Sequence, residues 1–158
     1  MRHTLVFTAE EIAFLRTLRA AKVRFMVVGL SAAALQGAPM VTQDVDLWFR
    51  DLAAPGIRRA LRRVGGTFVP AVDLSPPMFA GEGVDLFDIV LTVHGIDSFD
   101  AEYKNALDVP LGDFSVKVLP LDRIIQSKRY LGREKDLMAL PALRSAARAL
   151  DPKTRHRP

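Results

Sequence analysis

Residues 23–49 read VRFMVVGLSAAALQGAPMVTQDVDLWF, from Val23 to Phe49. The apolar run Val23 to Val28 predicts a buried strand that stops at Gly29. Ser31 follows, and Ser31 to Gln36 predicts a short Ala-rich helix closed by Gly37. A second strand is then expected over Asp44 to Phe49, opening with two carboxylates one residue apart. Alternate residues of a strand face the same way, so Asp44 and Asp46 are expected on one side and Val45 and Leu47 on the other. Aspartate is depleted in strands, and two on one face repel each other unless a cation lies between them. Two hard oxygen donors that close together suit Mg²⁺ or Mn²⁺. The competing reading makes Asp44 a solvated strand start and Asp46 an exposed edge residue. Gly29, between a strand and a helix, lets a phosphate approach the backbone, where a helix N-terminus favours anions.

Further along, Thr8 and Glu11 form a capping-box pattern for a helix ending near Ala21. Pro55 and Gly56 start another helix that runs to Gly65. Residues 67–72 suggest a strand, and residues 75–77 and 81–83 are expected to be loop. VDLFDIVLTV, Val84 to Val93, predicts a long strand. A short helix over 97–106 precedes two strands flanking the turn Gly112-Asp113. Pro120 introduces a helix to Leu131, stopped by Gly132, and a last helical stretch over 134–150 is expected to break at Pro141. Helices and strands alternate early and strands cluster later, so the expected class is mixed α/β (α+β).

The chain has 158 residues, 49% of them hydrophobic, enough for one domain with a sizeable core. The expected layout is one domain over residues 1–150 and a basic tail over 151–158. There is no cysteine, which excludes disulfides and zinc–thiolate sites and fits a reducing cytoplasm. The histidines are His3, His94 and His156, two of them near the ends, which argues against a histidine metal site. No apolar run reaches bilayer length, so no membrane partner is expected. The start MRHTLVFTAEE turns acidic too early for a secretory signal. The net charge is +4, with arginines at 58, 59, 62 and 63 and basic residues at 153, 155 and 157. A solvated helix face and tail explain these; a nucleic-acid contact surface is the alternative.

A third carboxylate has two candidates in the 84–93 run, Asp85 and Asp88, which a regular strand puts on opposite faces. Asp88, mid-strand between Phe87 and Ile89, is favoured because a charge there needs a partner. Lys128 continues the apolar stripe Leu121, Ile124, Ile125 and so is expected to lie along the inward face of its helix. There it would neutralise phosphate charge, or its stem would pack while the ammonium reaches water. Asp136 is placed to pair with Lys128 or Arg133, and Thr42 is placed to orient a carboxylate, contact a phosphate or serve as a loop hydroxyl.

Gly29-x-Ser31 followed by Thr42-x-Asp44-x-Asp46 resembles the signature of the nucleotidyltransferase (polymerase β-like) superfamily. Residues 120–128 with the later Gly132-Arg133-x-Lys135-Asp136-Leu137 look like the C-terminal motif of its small bacterial AbiEii-like toxins and related nucleotidyltransferases. The resemblance implies a mixed, mostly antiparallel sheet backed by helices. It implies metal-binding carboxylates at Asp44 and Asp46, with Asp88 as the third, helping to activate an attacking hydroxyl. Gly29 and Ser31 match its phosphate-contacting turn, Lys128 its phosphate-contacting lysine, and Asp136 the acid of its Arg-Asp or Lys-Asp ending; Thr42 and Arg133 join the nucleotide contacts. The implied activity is Mg²⁺- or Mn²⁺-dependent transfer of a nucleoside monophosphate from a nucleoside triphosphate. The acceptor would be a hydroxyl of RNA or tRNA, a protein or a small molecule. A toxin role with an antitoxin partner fits the same resemblance. Leu30 stands where many relatives have a second glycine, and Met40 where many have a basic residue. These departures motivate the alternative, an inactive nucleotide- or partner-binding module of the same fold.

Overall fold

The stretch from Val23 to Phe49 folds into an antiparallel strand pair bridged by a short helix, and the remaining elements assemble around it. The structure is a computed structural model and describes residues 7–151; the basic residues at 153, 155 and 157 lie outside the described part. Helix α1 (Ala9–Ala20) opens with the expected capping box: Thr8 accepts from the Glu11 amide, and the Glu11 carboxylate accepts from the Thr8 amide. It closes with the Lys22 amide donating to the Arg19 carbonyl and the Val23 amide to the Leu18 carbonyl. That is a Schellman motif, with Lys22 at a φ of 60° in the left-handed position glycine usually takes. Val23 therefore caps a helix, and β1 (Phe25–Val28) starts two residues later than the apolar run suggested.

Strand β1 passes directly into α2 (Gly29–Leu35), which begins at Gly29 rather than Ser31. Strand β2 (Val45–Phe49) returns antiparallel, with Phe25 opposite Phe49 and Val28 opposite Asp46. Helix α3 (Pro55–Arg63) follows, and then a small antiparallel hairpin of β3 (Thr67–Val69) and β4 (Met78–Ala80). Strand β4 falls within the stretch that residues 75–77 and 81–83 marked as loop, and corrects that reading. Strand β5 is only Phe87–Val90. Residues 82–86 form turns around the Gly81 carbonyl, which accepts from the Val84 and Asp85 amides, so the long strand expected over 84–93 is corrected to four residues. After α4 (Phe99–Lys104) come β6 (Leu107–Leu111) and β7 (Phe114–Val118), joined by the expected two-residue loop with Gly112 at a φ of 75°.

The main sheet has the order β5-β2-β1-β7-β6. β1–β2 and β6–β7 run antiparallel, while β2–β5 and β1–β7 run parallel. With the β3–β4 pair, antiparallel pairings outnumber parallel ones among the named strands. The class is the mixed α/β expected. Helix α5 (Leu121–Leu131) ends at Gly132, at a φ of 60°. Helix α6 (Glu134–Leu150) runs unbroken through Pro141, against the expected interruption. Pro141 is exposed, so the Leu137 carbonyl it leaves without an amide donor lies on the solvent side, while Leu140, Leu143 and Ala146 hold the helix against the body.

Both faces of the central sheet are covered. On the back, Phe14 of α1 sits 5.5 Å from Phe79 and 5.3 Å from Phe87, and Phe49 packs edge-on to Phe79. Val45, Leu47 and Phe49 share that side of β2 by alternation. Asp46 and Trp48 point to the front, where Trp48 meets Phe99 of α4. Phe14 has no exposed surface, so Phe14→Ala is expected to lower stability by about 4 kcal/mol in urea unfolding. Val41→Ala, at a site 93% exposed, should change it by less than about 0.5 kcal/mol.

Candidate active site

A cleft of about 250 Å³ opens on the front of the sheet, where β1 runs into α2 and α5 crosses over it. Gly29, Asp46, Lys128 and Arg133 line it, together with Val90, Leu119, Ile124, His94 and Ser127. Asp46 is set on β2 by its backbone. Its amide donates to the Ser31 hydroxyl at 3.1 Å, and that hydroxyl donates to the Val28 carbonyl at 2.7 Å. Ser31 is completely buried, and its hydroxyl ties the end of β1 to β2. Gly29 has a φ of 65°, and a methyl group there would fall 2.5 Å from Asp46 Oδ2. The room left by the missing side chain is thus filled by the Asp46 carboxylate.

The neighbouring parallel strand puts Asp88 directly beside Asp46 in register. Asp85, the other candidate, lies in the turn before β5, where its Oδ1 accepts from the Gly81 amide at 3.2 Å. Asp44 stands outside β2, exposed and one residue ahead of it, a correction to the expectation that both aspartates belong to the strand. Thr42 Oγ1 donates to the Asp44 carbonyl at 2.8 Å, which steadies that approach to the strand.

Asp46 feels both neighbouring carboxylates, and Asp88 feels Asp44. Burial, then the Asp88 charge, then Asp44, raise the Asp46 carboxyl to about 6, against the pull of Lys128. Burial and Asp44 also raise Asp88. The opposing charge comes from α5 and α6. Asp136 is fully buried, accepts from Arg133 Nε at 2.6 Å and pairs with Lys128 Nζ at 3.3 Å. It also caps α6 by accepting from the Arg133 amide at 3.2 Å. Arg133 first, with Lys128 adding to it, holds the Asp136 carboxyl down at about 2. Asp136 thus pairs with both of the partners proposed for it, and Lys128, 18% exposed, lies between Asp136 and the cleft.

Cleft-lining residues therefore bring together Gly29, Asp46, Lys128 and Arg133, while Asp44, Asp88, Ser31 and Thr42 stand outside the lining. Among the described residues, no three histidine, cysteine, aspartate or glutamate side chains are gathered closely enough to form a metal-holding group. The donor chemistry nevertheless fits a hard divalent cation: Asp46 lies beside Asp88 in register, and both are raised by burial and like charge, an unfavourable state that a cation between them relieves. His94 joins the cleft from the turn after β5. Nothing in its local sequence marks it; only the path of the chain from β5 to α4 places it there.

No protein-family model matches the chain, and no curated protein matches it. Among solved structures, the chain is similar to the aminoglycoside nucleotidyltransferase ANT(2'')-Ia in complex with adenylyl-2''-tobramycin. The TM-score is 0.57 over 92% of each chain, at 13% sequence identity. The fold is of the nucleotidyltransferase type. Within this nucleotidyltransferase fold, no helix among the described residues is long and apolar enough to cross a membrane.

Two substitutions, one in the cleft and one buried behind it, should move stability in opposite directions. Native Asp46 holds its proton up to about pH 6, against about 3.8 unfolded, so ionised Asp46 weakens the metal-free protein above pH 6 and the penalty fades as pH falls toward 4. Asp46→Asn is therefore expected to stabilise the metal-free protein by about 2 kcal/mol at pH 7 and by little at pH 4. Asp136 is shifted the other way: its contribution is complete above about pH 4 and disappears as pH falls through 2. Asp136→Ala should cost about 3 kcal/mol at pH 7, because Lys128 and Arg133 lose a buried partner. Urea unfolding of both variants at pH 4 and 7 measures these differences.

Proposed function

We propose that this protein transfers a nucleoside monophosphate from a nucleoside triphosphate to a hydroxyl. One observation carries the reading. Within a fold of the nucleotidyltransferase type, Asp46 with Asp88 beside it faces Lys128 and Arg133 across a single cleft. A carboxylate on one wall, with a second beside it in register, suits a divalent cation, and cations on the other wall suit phosphate oxygens.

Asp46, Asp88 and Asp44 would hold Mg²⁺ or Mn²⁺. When bound, the ion supplies charge neutralisation to the phosphate oxygens. Lys128 and Arg133 approach the phosphates from the opposite wall, and Asp136 keeps both side chains directed there. The acceptor oxygen attacks the α-phosphorus, the bond to the bridging oxygen of the β-phosphate breaks, and pyrophosphate leaves. Asp88 takes the hydroxyl proton; burial and Asp44 raise its basicity for that role. Ser31, Gly29 and Thr42 act on the position of Asp46 and Asp44.

The adenylyl-2''-tobramycin held by ANT(2'')-Ia supports a hydroxyl on a small molecule as one acceptor. RNA or protein acceptors, and an AbiEii-like toxin role with an antitoxin, rest on the sequence motifs. A second reading, a nucleotide- or partner-binding module without turnover, draws on the same carboxylates. Among the described residues they are not gathered into a metal-holding group.

Incubation with labelled triphosphates, Mg²⁺ and tRNA, protein and aminoglycoside acceptors tests the proposal. Wild type should label an acceptor and release pyrophosphate. Asp46→Ala and Lys128→Met should each lower the rate by about 100-fold or more. Equal transfer by Asp46→Ala overturns the reading. Triphosphate binding by calorimetry that is indifferent to Mg²⁺, with no labelled product, favours the module instead.

A further inference from the structure

The back of the molecule carries a second charged feature. Helix α1 lies against the sheet face opposite Asp46, where Phe14 and Phe49 meet around Phe79, and α3 packs against α1 and β3. Between the two helices runs a groove of about 390 Å³ whose floor is Ala13, Thr17 and Ala20 and whose rim is Arg16, Arg59 and Arg63. No acidic residue lines it. Helix α3 reads PGIRRALRR, without one acidic side chain. Its four arginines form two rows, 58 with 62 and 59 with 63, each pair one turn apart on the exposed face. Among the described residues, Arg59, Arg62 and Arg63 make no ion pair or side-chain hydrogen bond. Arg16 pairs with Asp113, a turn residue that is itself 74% exposed, and its guanidinium lies 5.3 Å from the centre of the Phe114 ring. On the far flank of α3, the Arg58 guanidinium lies 5.4 Å from the centre of the Phe68 ring.

Arg62 and Arg63 lie in the last turn, where cations favour the helix dipole, but that does not account for Arg59, and like charges one turn apart repel each other. The buried residues of α3 are Gly56, Ile57, Ala60 and Leu61, all on its other side. From these observations we infer that the α1–α3 face binds single-stranded nucleic acid. The rows of guanidinium groups match a chain of phosphates, which they contact through forked hydrogen bonds. The Arg58–Phe68 stack presents a planar cation beside an aromatic ring, the kind of platform on which an unpaired base stacks. A protein partner would need a large apolar anchor at the centre of the surface, and the groove floor holds only alanine and threonine. Helix α3 itself offers a membrane surface no apolar side chain to insert, because its apolar side is buried in the core. Because the cleft is on the other side of the sheet, a strand held here is tethered to the protein at a distance from the proposed chemistry, and its binding does not depend on that chemistry.

Fluorescence anisotropy of a labelled 12-nucleotide oligouridine, titrated with the full chain at several salt concentrations, tests the inference. Wild type should bind, with affinity falling steeply with salt. The double variant Arg59→Gln, Arg63→Gln should weaken binding on the order of tenfold at low salt and reduce the slope of log affinity against log salt by about 1.4. Phe68→Leu should weaken it while leaving that slope unchanged, a result a purely electrostatic surface would not produce. Asp46→Asn should bind as wild type does. Far-UV circular dichroism melts establish that each variant is folded. No binding by wild type overturns the inference. So does undiminished binding by the folded double variant, or binding to anionic lipid vesicles or duplex DNA as tight as to the oligouridine.

Discussion

The carboxylate of Asp46 occupies the space a side chain at residue 29 would need. That contact constrains the front of the molecule. Because residue 29 is glycine, β1 can turn straight into α2 at a positive φ with the neighbouring strand close beside it. Because α2 starts there, Ser31 is carried under the sheet edge, where its hydroxyl links the Val28 carbonyl to the Asp46 amide. The same three residues thus set the strand register, the start of the helix and the position of the acid. A larger residue at 29 would displace all three together.

The charge on Asp46 is balanced from across the cleft by side chains anchored at a different point. Asp136 has no exposed surface, yet it is the most firmly ionised of the acids with large shifts, since it accepts from both Arg133 and Lys128. Asp46 and Asp88 are in the reverse position, Asp46 pushed toward neutrality by burial and then by Asp88, and Asp88 by burial and then by Asp44. Two environments on one fold thereby separate a stabilising carboxylate from strained ones. The sheet also separates the molecule's charges by face: acids with anchored cations in front, unopposed arginines behind.

Local sequence carried much of the architecture. The Thr8–Glu11 capping box, the hairpin loop at Gly112 and the αL stop at Gly132 all appear where short-range patterns put them, because each is made by residues within a few positions of one another. Patterns failed where a longer-range contact took over. Val23 reads as strand but caps a helix. Val84 to Leu86 read as strand but wrap around the Gly81 carbonyl. Pro141 reads as a break, but packing of α6 on the body outweighs one lost hydrogen bond on its exposed side. Strand β4 is three residues long and pairs across a loop, leaving no periodicity to detect.

Sequence by itself determined the mixed α/β class, the succession of strand, glycine, short helix and acidic strand, and the residue types available for chemistry. These depend on backbone preferences and on apolar alternation, which act over a few residues. Only the tertiary structure decided which side chains meet. Period-two alternation cannot choose between Asp85 and Asp88 until β5 has a register, and it is pairing with β2 that sets Asp88 beside Asp46. The spacing of Lys128, Arg133 and Asp136 suggested pairs, but burial of Asp136 between two helices made one anchor for both cations. His94 entered the cleft with no local sign at all. Such meetings are set by how strands and helices stack, a property of contacts between residues far apart in the chain.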